Sequence, residues 1–170
     1  MRVSRRRGPV ALAACAVACA VAFAVGGCGA PSFEGAVPAL SQPQTEQDRL
    51  PARASGARAE AVDPGSTRYL GGTQVAEYWV GLDGEEICLV QSLRGTGTVG
   101  SSCAGADVFE RSGVRVSTSS ADVSATGLLV PEGFDAADAT GDAAGDEEWV
   151  AVNDNLLAPA DEGGSPASSG

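Results

Sequence analysis

The residues in this sequence whose types could perform chemistry are serines, cysteines and carboxylates, because histidine and lysine are both absent. A serine hydroxyl needs a neighbouring base, normally His or Lys, to take its proton. Ser101 and Ser102 therefore cannot act in a Ser-His-Asp triad or a Ser-Lys dyad. A Cys-His pair and a Schiff-base lysine are excluded on the same ground, and zinc sites lack their usual nitrogen ligands. We expect no catalytic residue, no cofactor and no metal.

Carboxylates are the remaining candidates for catalysis. Glu85-Glu86 and Asp146-Glu147-Glu148 are adjacent acids, and two carboxylates that flank a sugar can hydrolyse a glycosidic bond. Adjacent acids on a strand point to opposite faces, however. We therefore expect solvated surface charge here, and a carboxylate-based hydrolase of cell-wall glycans is the alternative function.

A second acidic feature is the Gly- and Ala-rich stretch 135–148. Calcium prefers six to eight oxygen ligands on a flexible loop, but the spacing of these acids does not match the EF-hand pattern. The sequence favours an acidic mobile loop, with a calcium-dependent adhesion module as a further alternative. The stretch contains six acids, Asp135, Asp138, Asp142, Asp146, Glu147 and Glu148.

Neither nucleotides nor nucleic acids are expected as partners. Gly95–Gly100 matches G-x-G-x-x-G, but the dinucleotide fingerprint requires a strand before it and a helix after it. Here the glycines lead into Ser101-Ser102-Cys103, so a loop between strands is the better interpretation. After residue 27 the chain carries seven arginines against 22 acids, and such a chain is repelled by phosphate backbones.

The first 27 residues have the layout of an export signal. Arg2 and Arg5–Arg7 form a basic start, and the sixteen residues Val10–Val25 are all apolar. A membrane-spanning helix needs about 20 apolar residues. The run is thus marginal as a permanent span but long enough for a signal peptide.

The tetrad Val25-Gly26-Gly27-Cys28 resembles a lipobox, the processing site of bacterial lipoproteins. The resemblance implies that the Cys28 thiol receives a diacylglyceryl group and that cleavage makes Cys28 the new N-terminus. It covers only the export segment, and Val stands at a position where Leu is commonest. The alternatives are a secretory signal cut near Ala30 and an uncleaved anchor helix. Ser4-Arg5-Arg6 leaves general secretion and twin-arginine export both open.

The five cysteines fit lipidation of Cys28 best. Cys15 and Cys19 lie inside the apolar run and leave with it. If Cys28 carries lipid, only Cys88 and Cys103 are left, and two cysteines in an exported domain usually pair. A disulfide that closes the loop of fourteen residues between them should stabilise the fold by about 3 kcal/mol. The spacing is wrong for a redox C-x-x-C turn. We predict a structural Cys88–Cys103 disulfide.

Behind the signal, the chain divides into three parts. Residues 28–66 contain five prolines and no sustained apolar periodicity, which predicts a flexible linker behind the lipidated N-terminus that the lipobox resemblance implies. Residues 67–158 are expected to form a small, mainly β domain of about five to six antiparallel strands with one short helix. Residues 159–170 are expected to be disordered.

Alternating residues predict the individual strands. The runs 74–82 and 86–93 alternate around Asp83-Gly84, the strongest local hairpin signal. Ala76, Tyr78, Val80 and Leu82 fall on one face, so Trp79 faces the other side. The other predicted strands are 98–103, 114–118, 123–130 and 148–152, and residues 106–112 are predicted to be helical.

A broader resemblance concerns the mature domain. Cys88-Leu89-Val90, Ser102-Cys103, Gly127–Gly133 (GLLVPEG) and Val152–Asn155 (VNDN) are similar to segments of small, uncharacterised exported proteins of high-GC Gram-positive (actinobacterial) bacteria. Those proteins carry a cysteine pair, an LVPDG-like turn and a late Asn-rich turn; Glu132 stands where Asp is usual. The resemblance implies export and a disulfide, and no activity.

Taken together, these features predict an exported lipoprotein on the extracytoplasmic face of the cell membrane, held there by the lipid on Cys28. Its displayed domain is expected to be a non-enzymatic binding or envelope-assembly module with a protein partner in the envelope.

Overall fold

The protein is described by a computed structural model over residues 32–51, 61–134 and 148–162. Within these ranges eight strands form two four-stranded antiparallel sheets, in the orders β1-β2-β3-β4 and β5-β6-β8-β7. The mainly β prediction with one short helix is confirmed, although the described part holds more strands than the expected five to six. The strands are β1 Arg68–Gly72, β2 Ala76–Asp83, β3 Glu86–Leu93, β4 Val99–Gly105, β5 Val114–Ser119, β6 Ser124–Leu129, β7 Trp149–Asn153 and β8 Leu156–Pro159, and the helix α1 is Ala106–Ser112.

The hairpin of β2 and β3 forms the centre of the first sheet. Its register runs from Ala76 opposite Leu93 to Asp83 opposite Glu86. The two-residue turn is therefore Gly84-Glu85, one residue later than the Asp83-Gly84 pair predicted from sequence. Gly84 has a φ of +57°, a backbone conformation that glycine adopts without steric cost.

The main core lies between the two sheets, which pack face to face. Tyr78, Val80 and Leu89 contribute from the first sheet, and Val116 and Leu129 from the second. All five are buried. The alternation of β2 and β3 predicted this face correctly, because successive side chains on a strand point to opposite sides.

Residues 32–41 close one end of this sandwich and are not part of a flexible linker. They form two short 3₁₀ helices, Phe33–Gly35 and Pro38–Ser41. Phe33 is 6% exposed and Val37 is fully buried, both within the main core. The linker expectation is thus wrong for this stretch, because two apolar side chains four residues apart give too short a pattern to show as periodicity.

The end closed by residues 32–41 also holds the β2–β3 turn, the start of β5 and the turn between β7 and β8; we name it the capped end. The opposite, distal end holds the turns between β1 and β2, between β3 and β4, and between β5 and β6. Antiparallel pairing places successive turns at alternate ends of a sheet. Every described turn can therefore be assigned to one end.

The outer face of the first sheet is covered by residues 44–50 and 61–67. Trp79 is 4% exposed and packs there in a second apolar cluster with Val62 and Leu50. Its indole Nε1 donates to the carbonyl of Gln47 at 3.1 Å. Trp79 faces away from Tyr78, as the alternation predicted, and it is buried as well because the preceding chain folds over it.

The C-terminal boundary also differs from the prediction. Leu156–Pro159 forms strand β8, which pairs with β6. Strand β6 also contacts Glu162, beyond the end of β8. The Glu162 carboxylate accepts a hydrogen bond from the Thr126 amide at 3.0 Å. The folded unit therefore extends through residue 162 rather than ending at residue 158.

Candidate functional site

The predicted disulfide is present between Cys88 and Cys103. The two cysteines lie directly opposite each other on β3 and β4. Cys88 is fully buried in the second apolar cluster, beside Trp79 and Val90. The bond therefore staples two neighbouring strands beneath the covering segment. Cys28, the predicted lipidation site, lies outside the described residues.

The glycine motif Gly95–Gly100 spans the turn of the β3–β4 hairpin and the start of β4, which contains Gly100. Gly95 and Gly97 have positive φ values, +77° and +70°, and the chain then enters β4 and not a helix. A phosphate cradle of the dinucleotide type needs a helix N-terminus after the loop. The structure does not supply that context here, in agreement with the interpretation of the motif as a loop.

The acidic pairs singled out from the sequence do not come together. Glu85 and Glu86 are exposed at the capped end, whereas Glu148 is exposed immediately before β7, at the distal end. Residues 135–147, with the other acids of the suggested calcium loop, lie outside the described ranges. Within those ranges no group of three or more potential metal ligands occurs.

Two motifs that are far apart in the sequence meet at the capped end. The side chain of Asn155, which is 7% exposed, donates to the carbonyls of Val130 at 3.0 Å and Ala36 at 2.9 Å. The Val130 amide donates back to the Asn155 carbonyl at 3.0 Å, and the Glu132 amide donates to the Ala36 carbonyl at 2.7 Å. A single buried amide thereby joins the segments GLLVPEG and VNDN to the N-terminal cap.

The same junction borders a groove of about 400 Å³. Glu132 and Asp154 are among the residues that line it, and both are exposed. Phe134 and Leu157 supply apolar surface, and Asn153 is tied by its side-chain amide to the carbonyl of Leu70. The groove therefore combines two acidic groups with an aromatic ring, on a backbone fixed by Asn155. This is the candidate functional site.

A polar cluster sits inside the main core and is separate from the groove. The Tyr78 hydroxyl donates to the Thr126 carbonyl and accepts from Gln91 Nε2, both at 3.0 Å. Burial raises the pKa of Tyr78, while the hydrogen bond from Gln91 lowers it. Among the described residues, Gln91 Oε1 and the Thr118 hydroxyl have no hydrogen-bond partner. The cluster fixes the tyrosine between the sheets and contributes to the structure.

Asp48 locks the segment that covers the first sheet. Its carboxylate accepts from the Tyr69 amide at 2.8 Å and from the amide and hydroxyl of Thr45 at 2.6 and 2.7 Å. Burial raises the pKa of Asp48, but these hydrogen bonds and the nearby Arg68 outweigh that effect, so the pKa lies below its ordinary value. The ionised form is the one that holds the segment in place.

Sequence reasoning missed the residues that assemble the groove. The sequence shows Asn155 only as part of an Asn-rich turn, and Ala36 falls within the predicted linker. The signal for Asn155 was its place in a short polar turn before Leu156-Leu157, where an Asx side chain satisfies local backbone groups. Its bond to Ala36 spans 119 residues, and no local pattern reveals such a contact.

Comparison of the chain with protein-family models, curated proteins and solved structures gave no match. Within the part of the chain that the structure describes, no helix has both the length and the apolar character needed to span a bilayer. The described residues form a sandwich of two antiparallel sheets with one disulfide, closed at one end by residues 32–41. This fold is the class of protein that the geometry defines.

Proposed function

We propose that this chain is the precursor of an exported lipoprotein, anchored through Cys28, whose sandwich domain is a non-enzymatic binding module of the cell envelope. The observation that carries the proposal is the Cys88–Cys103 disulfide. Disulfides persist in oxidising compartments outside the cytoplasm. The pairing also leaves Cys28 as the single thiol outside the apolar run of the signal, which is the position the lipobox resemblance assigns to lipid.

Lipid attachment supplies the physical basis of the anchor. Each buried methylene of an acyl chain contributes about 0.8 kcal/mol, and stable membrane binding requires at least two chains or a second signal. A diacylglyceryl group meets that requirement on its own. The mature chain is acidic overall, with seven arginines against 22 acids after residue 27, so its net charge does not attract it to anionic lipids.

The anchor is tested by the intact mass of protein extracted from membranes. The expected mass begins at Cys28, includes the added lipid, and shows the two-proton deficit of the disulfide. Cys28→Ser should leave the precursor unprocessed and its lipid absent, whereas Cys15→Ser, a matched change inside the signal, should change neither. Normal processing and membrane retention of Cys28→Ser would refute the anchor.

The groove beside Asn155 is the proposed binding surface. Two exposed carboxylates next to an aromatic ring suit a partner that presents a cationic group beside an apolar one. Cross-linking and pull-down of the lipidated protein should enrich a defined envelope protein, and Glu132→Gln with Asp154→Asn should remove it. Asp122→Asn with Glu148→Gln, an equal loss of two charges at the distal end, should retain it. Equal recovery with all three proteins would argue against this surface.

The same two carboxylates favour a second candidate function, hydrolysis of cell-wall glycans. A glycosidase requires one carboxyl group as acid and another as base or nucleophile on either side of the scissile bond. Glu132 and Asp154 line one groove, as such a mechanism demands. Release of reducing sugar from purified wall material by the protein, abolished by Glu132→Gln, would establish this function in place of simple binding.

A further inference from the structure

We infer that the capped end of the sandwich faces the membrane and is held within about 14 Å of it, with the distal end directed away from the lipid surface. This inference rests on the proposed lipidation of Cys28. It gives the domain a fixed polarity relative to the bilayer, which a long flexible linker would not provide.

The first step is the absence of slack in residues 32–51. Phe33 stacks edge-to-face on Phe109 of α1 with ring centroids 5.9 Å apart, and Val37 is fully buried in the core. The Ala36 carbonyl is held by the Glu132 amide and by Asn155. Further along, the Arg68 side chain bonds the Gln42 carbonyl at 2.9 Å. This segment therefore moves with the domain.

The second step is the length of chain that remains. Four residue steps separate Cys28 from Ser32, where the folded part begins. Fully extended chain spans at most about 3.3–3.6 Å per residue, so the attachment point lies within about 14 Å of Ser32. A flexible linker through residue 66 would instead have a root-mean-square span of about 35 Å.

The third step is the place where the connecting segment, residues 28–31, joins the fold. Ser32 and Phe33 line a small cavity of about 190 Å³ with Leu82, next to the β2–β3 turn. The eight residues of β2, at about 3.3 Å per residue, separate the two ends by about 26 Å. Because that distance exceeds the reach of residues 28–31, the domain cannot stand inverted, with its distal end toward the bilayer and its capped end directed away.

The charge of the capped end affects how closely this end approaches the lipid surface. Its exposed acids include Glu34, Glu85, Glu86, Glu132 and Asp154. Anionic lipids repel such a surface over about one Debye length, about 8 Å at physiological ionic strength. The domain should therefore stand closer to a neutral bilayer than to an anionic one, and added salt should reduce the difference.

The test uses the full lipidated chain in vesicles that carry an acceptor dye on the lipid headgroups. Glu85→Cys places a donor label at the capped end and Asp122→Cys places one at the distal end. Both positions are exposed and both variants lose one acid, so they are matched in charge. In phosphatidylcholine vesicles the Glu85 label should transfer energy more efficiently, with a mean difference in height of up to about 25 Å.

A variant with a longer connecting segment tests the effect of the short connection separately from the lipid anchor. Twenty Gly/Ser residues inserted after Ala30 have a root-mean-square span of about 25 Å, and they should bring the two efficiencies together without releasing the protein. Equal efficiencies in the protein without the inserted residues would overturn the inferred polarity while leaving the lipid anchor intact. A chain that carries no lipid and does not associate with vesicles would overturn the anchor and the polarity together.

Discussion

Phe33→Ala measures whether the N-terminal cap belongs to the folded domain. Phe33 is 6% exposed and lies at the edge of the main core against Phe109. A buried phenylalanine removes roughly 150–250 Å² from water. Truncation to the β-carbon gives up most of that area, which at about 25 cal/mol per Å² corresponds to about 4 kcal/mol. Measured Phe→Ala losses in cores are about 3–5 kcal/mol.

The position of Phe33 favours the lower part of this range. It lies on a short 3₁₀ turn, Phe33–Gly35, which can shift to fill part of the cavity, so we expect a loss of about 3 kcal/mol. For a domain of this size the urea dependence of the unfolding free energy is about 1.5 kcal/mol per molar. The midpoint of urea unfolding should then fall by about 2 M.

The assay follows the fluorescence of Trp79 and Trp149 during urea unfolding of residues 28–170, expressed without the signal and with Cys28→Ser. Glu34→Ala is the matched control, because Glu34 is exposed on the same 3₁₀ turn and surface changes are usually within about 0.5 kcal/mol. Phe33→Leu, with a loss of about 1 kcal/mol, covers the case in which alanine prevents folding. The reasoning is refuted if Phe33→Ala and Glu34→Ala have the same midpoint, since residues 32–41 would then be a free tether.

Three further predictions concern the staple, the junction and the covering segment. Joint replacement of Cys88 and Cys103 by Ala should cost about 3 kcal/mol in the same urea assay, and reduction of the wild type should cost the same; a loss below about 1 kcal/mol would contradict the role of the disulfide. Asn155→Ala leaves two carbonyls with fewer donors and should lower the free energy of unfolding by about 2 kcal/mol. Unchanged circular dichroism would show that the variant is still folded, and an unchanged free energy of unfolding would remove Asn155 from the junction. For Asp48, whose pKa is depressed below 3.8 in the folded state, the stabilising contribution is present above that value and is lost as the pH falls through the folded pKa. Hydrogen exchange at the Tyr69 amide should therefore quicken at low pH, relative to the intrinsic rate, in the wild type but not in Asp48→Asn.

The parts of the fold that could be predicted from sequence are those with local causes. Strand β3 was predicted with its observed bounds, Glu86–Leu93, and α1 likewise with its bounds, Ala106–Ser112. In β3 the alternation of apolar residues carries the signal. In α1 the stop at Gly113, where φ is +69°, permits the chain to leave the helix. The disulfide followed from counting cysteines, which needs no geometry.

The missed parts depend on contacts between distant segments. β1, Arg68–Gly72, contains two glycines and little apolar residue content, so only its pairing with β2 makes it a strand. β8 is absent from the predicted strands, because four residues are too few for a period to show. The groove was missed for the same reason: it exists where the Val130 region, Asn155 and Ala36 converge, and each of these segments is unremarkable alone.

The misassigned linker has the largest consequence for function. A proline-rich segment of low hydrophobicity is expected to remain disordered because it cannot offset its ordering entropy by burial. Here Phe33 and Val37 avoid that limit by joining a core that the sheets have already formed, so few apolar residues suffice to order the segment. Under the proposed anchor, this shifts the start of the folded domain to four residues from the lipid. The position of two apolar side chains, rather than the length of the proline-rich segment, then decides how far and at which orientation the domain stands from the membrane.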